Sequence, residues 1–327
     1  METRTLGRTG RTVSVVGLGT WQLGGDWGAV DEDAAIGVLH AAADAGVTFF
    51  DTADVYGDGR SEQLIGRFRR ERTDATVMVA TKMGRRAPLD PAEYTLEHFR
   101  GWIDRSRANL GVDTLDLVQL HCPPTPVYSL NQVYDALDQL VSEQRIAAYG
   151  VSVETCDEAL TAIARPGVAS VQIIFNAFRQ KPLDAVLPAA EAAGVGIIAR
   201  VPLASGLLTG RYDHDTTFAA DDHRTFNRDG QSFDVGETFA GVDFDTGVDV
   251  AREFSALAPA GSTPAQAALR WVSDQPGVTT VIPGARNAEQ ARANAAAADS
   301  ESLHRAAHNA VRALYDERIR PLVHDRW

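Results

Sequence analysis

The chain has 327 residues, of which 44% are hydrophobic and 23% charged, a composition typical of folded globular proteins that argues against extensive disorder. Its length matches an α/β barrel with insertions, so we expect a single domain over residues 1–327. The formal net charge of −13 would repel nucleic acids and anionic membrane surfaces, which argues against both as partners.

The first ten residues, METRTLGRTG, lack the apolar core of a secretion signal, and no apolar run is long enough to span a bilayer. We therefore expect a soluble cytoplasmic protein. Cys122 and Cys156 are the only cysteines, and they lack the spacing of a metal site or a paired motif. The sequence predicts no metal and no disulfide, and it leaves open whether a thiol lies in the core or lines a pocket.

Short apolar runs alternate along the chain with longer amphipathic or Ala-rich stretches. Eight runs resemble strands: VSVVGLG, VTFFDTAD, VMVATK, LDLVQLH, AYGVSV, SVQIIFN, GIIARVP and VTTVIPG. Helical patterns follow them, including one from Cys156 to Ala164 and one around residues 249–257. Continuous β-branched runs that each precede a helix are typical of buried parallel strands with crossover helices. Eight such units predict an α/β fold of the (β/α)8 TIM barrel type.

Three segments lie outside this alternation. The opening LGRTGRTVSVVG has two β-prone pieces around a Thr-Gly turn, which predicts an N-terminal β-hairpin before or beneath the barrel. Residues 212–245 follow the seventh strand and contain five phenylalanines, so we expect a long loop folded over the barrel mouth rather than a linker. An extra C-terminal helix is expected beyond the last repeat.

Four chemically active side chains stand at the ends of three early runs. Asp51 ends VTFFD, Lys82 ends VMVATK and His121 ends LDLVQLH, while Tyr56 lies in the turn DTADVYG. The carboxyl ends of parallel barrel strands meet at one mouth, so these side chains are expected to lie together. They would suit carbonyl reduction, which needs a proton donor for the alkoxide as hydride arrives from a cofactor.

A phenol with a pKa near 10 is a reluctant acid at neutral pH. We expect Lys82 to stabilise the phenolate of Tyr56 and so lower its pKa, with Asp51 keeping the lysine charged and oriented. His121 would contact the substrate oxygen or complete a proton relay. Each residue alone also has a structural interpretation, as a turn cap, a surface aromatic, a strand-end charge or a core histidine. The joint pattern favours the catalytic interpretation.

Seven segments together resemble the aldo-keto reductase family, in order and over nearly the whole chain: DTADVYG, ATKMG, LVQLH, GVSVE, VQIIFN, RVPLASGLLTGRY and IPGARNAEQARAN. The resemblance implies a (β/α)8 barrel that uses NADPH without a Rossmann domain. It also implies a catalytic tetrad at Asp51, Tyr56, Lys82 and His121, with Tyr56 as the general acid.

The same resemblance assigns a cofactor site. Ser152, Gln172 and Asn176 would hold the nicotinamide carboxamide, and the glycine-containing loop of residues 203–211 would wrap the pyrophosphate. Arg286 would bind the 2′-phosphate, with Gln290 and Asn294 beside the adenine. The complete expected set is Gly19, Thr20, Trp21, Asp51, Ser152, Gln172, Asn176, Arg200, Val201, Pro202, Leu203, Ser205, Gly206, Leu207, Arg211, Gly284, Arg286, Gln290 and Asn294.

Two positions depart from the family pattern. Many relatives carry a Lys-Ser pair where Gly284 and Ala285 stand, so one expected phosphate charge is missing. NADPH/NADP+ is still the expected cofactor and NADH is less favoured. Relatives often place an aromatic ring for nicotinamide stacking where this chain has Arg200. A guanidinium can also stack, and the usual hydride face is kept as the expectation.

Two other motifs are rejected. The segment GLGTWQ at residues 17–22 begins like a dinucleotide-binding fingerprint, but it lacks the third glycine and an acidic ribose partner. The acidic segment after the seventh strand could suggest a metal, yet it has no ligand spacing and is better interpreted as solvated charge. Its residues are Asp213, His214, Asp215, Asp221, Asp222 and His223.

Trp21, Trp27, Tyr56 and His121 are expected to line the substrate pocket, although Trp27 could instead anchor the core. The substrate is expected to be the carbonyl of an aldehyde, ketone or sugar, and homo-oligomer formation is left open. One alternative is an NADPH-binding regulatory protein like the potassium-channel β subunits. The chain starts without an added gating segment, which weakens that interpretation. A barrel lyase or isomerase without nicotinamide is the other alternative.

Overall fold

Ten strands are present in the computed structural model, which describes residues 1–24 and 31–327. Two of them form an antiparallel hairpin and eight form a parallel sheet. The strands are β1 (Thr3–Thr5), β2 (Thr12–Ser14), β3 (Leu18–Gly19), β4 (Phe49–Asp51), β5 (Met78–Met83), β6 (Leu117–His121), β7 (Tyr149–Ser152), β8 (Val168–Ile174), β9 (Gly196–Arg200) and β10 (Val278–Val281).

The parallel sheet closes into a barrel. Strands β3 to β10 pair in sequence order, and parallel bridges from Val16 to Val281 and from Gly19 to Gly284 join the two edges. Every residue of β4 to β10 is buried, because the strands face the barrel interior on one side and the helices on the other. The (β/α)8 TIM barrel predicted from the eight apolar runs is confirmed.

The helices lie around this barrel. They are α1 (Trp21–Gly24), α2 (Glu32–Asp44), α3 (Arg60–Glu71), α4 (Leu96–Leu110), α5 (Asn131–Ser142), α6 (Cys156–Ile163), α7 (Val186–Ala193), α8 (His223–Phe226), α9 (Phe244–Ser255), α10 (Pro264–Ser273), α11 (Ala288–Ala295), α12 (Arg305–Leu314) and α13 (Arg320–Val323). Helix α9 begins five residues before the expected position because the Asp243 side chain accepts from the Thr246 amide and caps it. The expected C-terminal extension is present as α12 and α13.

The hairpin closes the amino-terminal end of the barrel. Leu6 and Val13 are fully buried against Phe49, Met78 and Leu117, which begin strands β4, β5 and β6. The backbone at residue 7 approaches so closely that a Cβ there would lie 2.2 Å from the amide nitrogen at the start of β9, and only glycine fits. The predicted hairpin therefore exists and lies beneath the barrel, opposite the mouth.

Residues 212–243, here called the cover loop, lie between β9 and α9, after a 3-10 turn at Ala204–Thr209. They contain the short helix α8 and 3-10 turns at Val235–Glu237 and Phe239–Gly241. Phe239 is buried, and its ring centroid lies 5.9 Å from that of Phe218 and 5.0 Å from that of Phe244. The expected long loop is thus a folded unit with its own aromatic core. None of the described helices has the length and apolarity needed to cross a membrane.

Candidate active site

The carboxyl ends of four neighbouring strands bring the expected proton-transfer residues together. Asp51 ends β4, Lys82 is the penultimate residue of β5 and His121 ends β6. Ser152 ends β7 and pairs in register with His121. Because these parallel strands are neighbours in the barrel, their final side chains lie side by side at one mouth, which is the usual position of active sites in this fold.

Lys82 makes the central contacts. Its side chain is 1% exposed, and its Nζ donates to Asp51 Oδ1 at 2.5 Å and to the Thr52 carbonyl at 2.9 Å. The same Nζ lies 3.3 Å from the Tyr56 hydroxyl. Since an unpaired buried ammonium would be costly, the Asp51 carboxylate explains why a lysine is stable here.

Burial and the Lys82–Tyr56 interaction shift the pKa values of these two residues in opposite directions. Burial alone would lower the pKa of Lys82, but the charges of Asp51 and Tyr56 and the hydrogen bonds to them raise it above its ordinary value. Burial raises the pKa of Tyr56, and Lys82 opposes that rise without cancelling it. Lys82 therefore acts in the expected direction, while the expected net lowering of the tyrosine pKa is absent because desolvation is the larger effect.

His121 lies beside Tyr56, with the two ring centroids 5.9 Å apart in an edge-to-face arrangement. Burial, together with the positive charges of Arg85, Lys82 and Arg200, holds the pKa of His121 well below its usual range. Its Nδ1 is buried without a hydrogen-bond partner among the described residues. A neutral imidazole of this kind can donate one hydrogen bond to an oxygen that enters the mouth.

Asp51 is fixed by amides and by the first barrel strand. Its Oδ2 accepts from Gln172 Nε2 at 2.7 Å and from Gln119 Nε2 at 3.2 Å. The Thr20 hydroxyl donates to the Asp51 carbonyl at 2.8 Å, and Gly19 pairs with Asp51 in register. These neighbours satisfy the carboxylate that holds Lys82, so they position the ammonium.

Aromatic residues form one wall of the mouth. Trp21 is half-buried, and its ring lies 6.1 Å from that of Tyr56 and 5.2 Å from that of His223. Phe233 meets Trp21 edge-on at 5.7 Å. His223 and Phe233 belong to the cover loop, so this loop completes the wall that Trp21 begins. Trp27, the remaining expected pocket residue, lies outside the described residues.

Ser152 and Asn176, expected near a nicotinamide carboxamide, have partners within the chain. The Ser152 Oγ accepts from the Cys122 amide at 3.0 Å. The Asn176 Nδ2 donates to the Val201 carbonyl at 2.8 Å, and its Oδ1 accepts from the Phe178 amide at 2.8 Å. Asn176 thus holds the backbone that leaves β9, and any contact with a ligand would have to share or exchange these bonds.

The backbone after β9 adopts an unusual conformation. Val201 and Ser205 have φ values of 53° and 54°, and Gly206 has 99°. A left-handed conformation is strained for a β-branched residue such as valine and persists where the surrounding structure imposes it. Successive turns of this type can direct amide groups to an anion, which fits the expected pyrophosphate loop. Pro202, Leu203 and Leu207 lie in the same turn, and Arg211 is exposed after it.

Arg200 occupies the position where the sequence predicts a ring-stacking group. Its guanidinium is buried and pairs with Glu154 at 2.9 Å and with Glu237 at 2.7 Å. It also donates to the Val153 carbonyl at 3.0 Å and lies 3.8 Å from Cys122 Sγ. The group is therefore held in one orientation beside the residue that follows His121.

The expected adenosine end of the site is the turn between β10 and α11. The Gln290 Oε1 accepts from the Arg286 amide at 2.9 Å, and the Asn294 Nδ2 donates to the Gly284 carbonyl at 3.1 Å. The Arg286 side chain is exposed at this turn. A Cβ at position 284 would lie 2.0 Å from the side-chain amide of Gln22, so glycine permits close packing against α1.

Several residues of the mouth were not predicted from the sequence. Glu154, Glu237, Arg85 and His223 were not among the expected site residues. Glu154 and Glu237 pair with Arg200, His223 lies against Trp21, and the charge of Arg85 acts on His121. Glu154 immediately follows the strand run AYGVSV, which is a positional signal. Glu237 and His223 had no such signal, because a loop sequence does not reveal which of its side chains turn inwards.

The described ranges 1–24 and 31–327 contain no group of three or more His, Cys, Asp or Glu side chains arranged to hold a metal ion. His214 pairs instead with Asp245 and Asp249, each at 3.1 Å. Both cysteines are buried and unpaired with each other. Burial raises the pKa of Cys122 to about 12, so its thiol is protonated at neutral pH.

Several known structures resemble this chain over nearly its whole length. The chain is 30% identical to the glycerol dehydrogenase of Gluconobacter oxydans, with a TM-score of 0.77 and coverage of 94% of this chain and 93% of that one. It is 25% identical to an aldo/keto reductase of Klebsiella pneumoniae solved with NADP and acetate, with a TM-score of 0.70 and coverage of 96% and 95%. A further structure from Klebsiella pneumoniae, also 25% identical, contains NADPH.

The chain is also similar over most of its length to curated proteins of two kinds. The chain is 31% identical over 304 residues to the aldo-keto reductase YhdN of Bacillus subtilis, covering 90% of this chain and 87% of the relative. It is also 31% identical over 324 residues to a probable voltage-gated potassium channel β subunit of Oryza sativa, covering 91% and 92%. The sequence profile of the Aldo/keto reductase family matches residues 15–316. With its closed barrel and the four side chains at its mouth, this chain belongs to the aldo/keto reductase family.

Proposed function

We propose that the protein is an NADP(H)-dependent reductase that converts the carbonyl of an aldehyde, ketone or sugar to an alcohol. The observation that carries this proposal is the contact of buried Lys82 Nζ with both the Asp51 carboxylate and the Tyr56 hydroxyl. The carboxylate alone would pair a structural lysine, whereas the added contact with a phenol gives the ammonium a group whose ionised form it can stabilise. The family membership supports the same reaction class.

Tyr56 acts as the general acid in this proposal. As hydride reaches the carbonyl carbon, charge develops on the oxygen, and the phenol transfers its proton there. Lys82 stabilises the phenolate that remains, and Asp51 keeps the ammonium charged. His121, neutral because burial lowers its pKa, donates a hydrogen bond to the same oxygen without competing as an acid.

The cofactor expected for this role supplies the hydride, which no side chain can provide. The related enzymes from Klebsiella pneumoniae contain NADP and NADPH, which supports the same cofactor here. The residues present fit such a group: the left-handed turn at residues 204–206 offers backbone amides for phosphates, and Arg286 offers an exposed cation. Gln172 and Ser152 would lie near the nicotinamide, and Gln290 and Asn294 near the adenine.

The decisive experiment follows the absorbance of NADPH and of NADH with a panel of aldehydes, ketones and sugars. We expect turnover with at least one carbonyl class and a preference for NADPH. Omitting the nicotinamide should abolish activity, because no other group can supply the hydride. A lyase or isomerase on the same barrel would instead remain active without it. Absence of turnover across the panel, despite tight NADPH binding, would contradict the reductase.

A second candidate is a nucleotide-binding regulatory subunit. The probable channel β subunit of Oryza sativa supports it, since that relative is matched over 92% of its length. This role predicts tight NADPH binding with slow turnover that no substrate class accelerates. The carbonyl panel therefore separates the two functions in one measurement.

A further inference from the structure

A cluster of four charged side chains lies next to His121, and none of the four gives or takes a proton in the reaction proposed above. Arg200 ends β9, Glu154 follows β7, Arg85 follows β5, and Glu237 comes from the cover loop. Arg200 and Glu237 are 7% and 9% exposed, so their charges are largely removed from water. Charges this deeply buried require partners, and each pairs within the cluster.

The two carboxylates are not equivalent. Burial would raise the pKa of Glu237, but Arg200 and Arg85 more than offset it, and the net pKa is lowered. Burial raises the pKa of Glu154, and the same cations do not reverse that rise. Arg200 therefore favours the charged form of Glu237 more strongly, and its contact with Glu237 is also the shorter one, at 2.7 Å against 2.9 Å for Glu154.

Glu237 reaches the cluster only because the cover loop is docked on the barrel. The Ser205 hydroxyl donates to the Glu237 carbonyl at 3.1 Å and accepts from the Phe239 amide at 3.1 Å. Ser205 belongs to the turn expected to hold phosphates. One short segment thus contacts both the turn after β9 and the guanidinium at the end of β9.

The charge of a bound nicotinamide ring depends on its redox state: the reduced ring is neutral and the oxidised ring carries a positive charge. For hydride transfer the ring must lie within about 3.5 Å of a carbonyl held at Tyr56 and His121. Arg200 already lies 3.8 Å from the sulfur of Cys122, the residue after His121. The charge of Arg200 also acts on His121, whose pKa it helps to lower. A ring placed for hydride transfer to a carbonyl at His121 would therefore lie within reach of that charge, and the low dielectric of a buried site would strengthen their interaction.

We propose that Glu237 is a positioning residue that offsets the charge of Arg200, so that the site accepts the oxidised, cationic nicotinamide when the cover loop is docked. This inference rests on the proposed nicotinamide-dependent function. It gives the cover loop a specific electrostatic role, because undocking would withdraw Glu237 and leave Arg200 with Glu154, a single carboxylate that it shares with Arg85.

The test compares the Kd values of NADPH and NADP+ by equilibrium fluorescence titration. In Glu237→Gln, which keeps the size and an acceptor for Arg200 but removes the charge, we expect NADP+ to bind roughly tenfold more weakly and NADPH to change less than about twofold. Asp229→Asn is the matched control, because Asp229 is an exposed carboxylate of the same loop. It should leave both Kd values unchanged.

Arg200→Gln provides a second variant with the opposite sign. Removing the cation should strengthen NADP+ relative to NADPH, and the double variant with Glu237→Gln should return the Kd ratio towards that of the wild type. Two results would overturn the charge-compensation role while leaving the proposed reductase intact. One is an equal change in the Kd values of NADP+ and NADPH in Glu237→Gln, and the other is a shift of the Kd ratio in the same direction in both single variants. A wild-type protein that binds neither form would overturn both.

Discussion

Lys82 is the residue on which the electrostatics of the mouth depend. It is fully buried, its charge is matched by Asp51, and its ammonium group reaches the phenol of Tyr56. Removing Asp51 would leave the buried ammonium of Lys82 without its ion-pair partner, which is more damaging than the loss of one hydrogen bond. The arrangement therefore ties the stability of this part of the barrel to the chemistry proposed for it.

Replacement of Tyr56 by phenylalanine removes the proposed proton donor and little else. We expect kcat to fall by about 10²- to 10⁴-fold, the usual contribution of general acid catalysis, while the Kd of NADPH changes less than about twofold. Steady-state kinetics and cofactor titration measure the two effects. Tyr134→Phe, which removes a buried hydroxyl on α5, is the control and should retain full activity. An unchanged kcat in Tyr56→Phe would rule out its role as the acid.

Asp54, two residues before Tyr56, is an unusual buried carboxyl. Neither of its oxygens has a hydrogen-bond partner among the described residues, and burial, with the nearby Glu62, raises its pKa to about 7 despite Arg86 and Arg105. Between about pH 4 and pH 7 the unfolded chain loses this proton while the folded chain keeps it. The contribution of Asp54 to stability therefore falls as the pH rises through this window.

Asp54→Asn should remove this pH dependence. The wild type should lose stability from pH 5 to pH 8 in a way that the variant does not. We therefore expect the difference in free energy of unfolding, variant minus wild type, to increase by on the order of 2 kcal/mol over this range. Urea unfolding at the two pH values measures it. Asp33→Asn, which changes an exposed carboxylate on α2, is the control and should show no such rise. A difference that is constant with pH would contradict the raised pKa.

The turn between β10 and α11 shows how one element prepares a binding position. The Asn287 side chain accepts from the Gln290 amide and caps α11, while Gln290 and Asn294 hold the backbone of residues 284–286. The helix therefore fixes the turn from which Arg286 projects. Because the Gly284-Ala285 pair supplies no cation, recognition of a 2′-phosphate here would depend more heavily on this one arginine.

Arg286→Ala tests that dependence. We expect the affinity for NADPH to fall by about 1–3 kcal/mol, the range for a charge-assisted hydrogen bond, with a smaller effect on NADH. Titration of both cofactors gives the comparison. Arg292→Ala, which removes an exposed cation from the adjoining helix α11, should leave both affinities nearly unchanged. Equal losses for NADPH and NADH in Arg286→Ala would show that Arg286 does not recognise the phosphate.

The whole barrel separates stability from chemistry at its two ends. The β1–β2 hairpin closes the amino-terminal end with Leu6 and Val13, and the proposed site occupies the carboxyl-terminal mouth. Changes beneath the barrel should therefore reduce stability without altering the mouth.

Leu6→Ala should show this separation. Leu6 is fully buried, so we expect a loss of about 2–5 kcal/mol in the free energy of unfolding, from lost burial and a cavity. Urea unfolding measures the loss, and kcat under native conditions should stay at the wild-type value. Leu89→Ala is the control because Leu89 is 66% exposed, and its effect should stay within about 0.5 kcal/mol. A fall in kcat without a loss of stability would contradict the separation.

The sequence determined much of this protein by itself. Eight continuous apolar runs, each followed by a helical pattern, predicted the barrel, because a strand buried on both faces must be apolar along its whole length. The strand-end positions of Asp51, Lys82 and His121 predicted their proximity, because parallel strands in a barrel end at the same mouth. The Thr-Gly turn near the start predicted the hairpin.

Only the tertiary structure determined the pKa shifts at the mouth and the side chains that the cover loop turns towards it. The pKa of Tyr56 follows from the balance of burial against Lys82, and the sequence contains no measure of burial. The inward positions of Glu237 and His223 depend on how the cover loop packs over the barrel, and no local periodicity encodes that packing. Local patterns fix elements whose burial is regular, whereas contacts between distant loops depend on the completed fold.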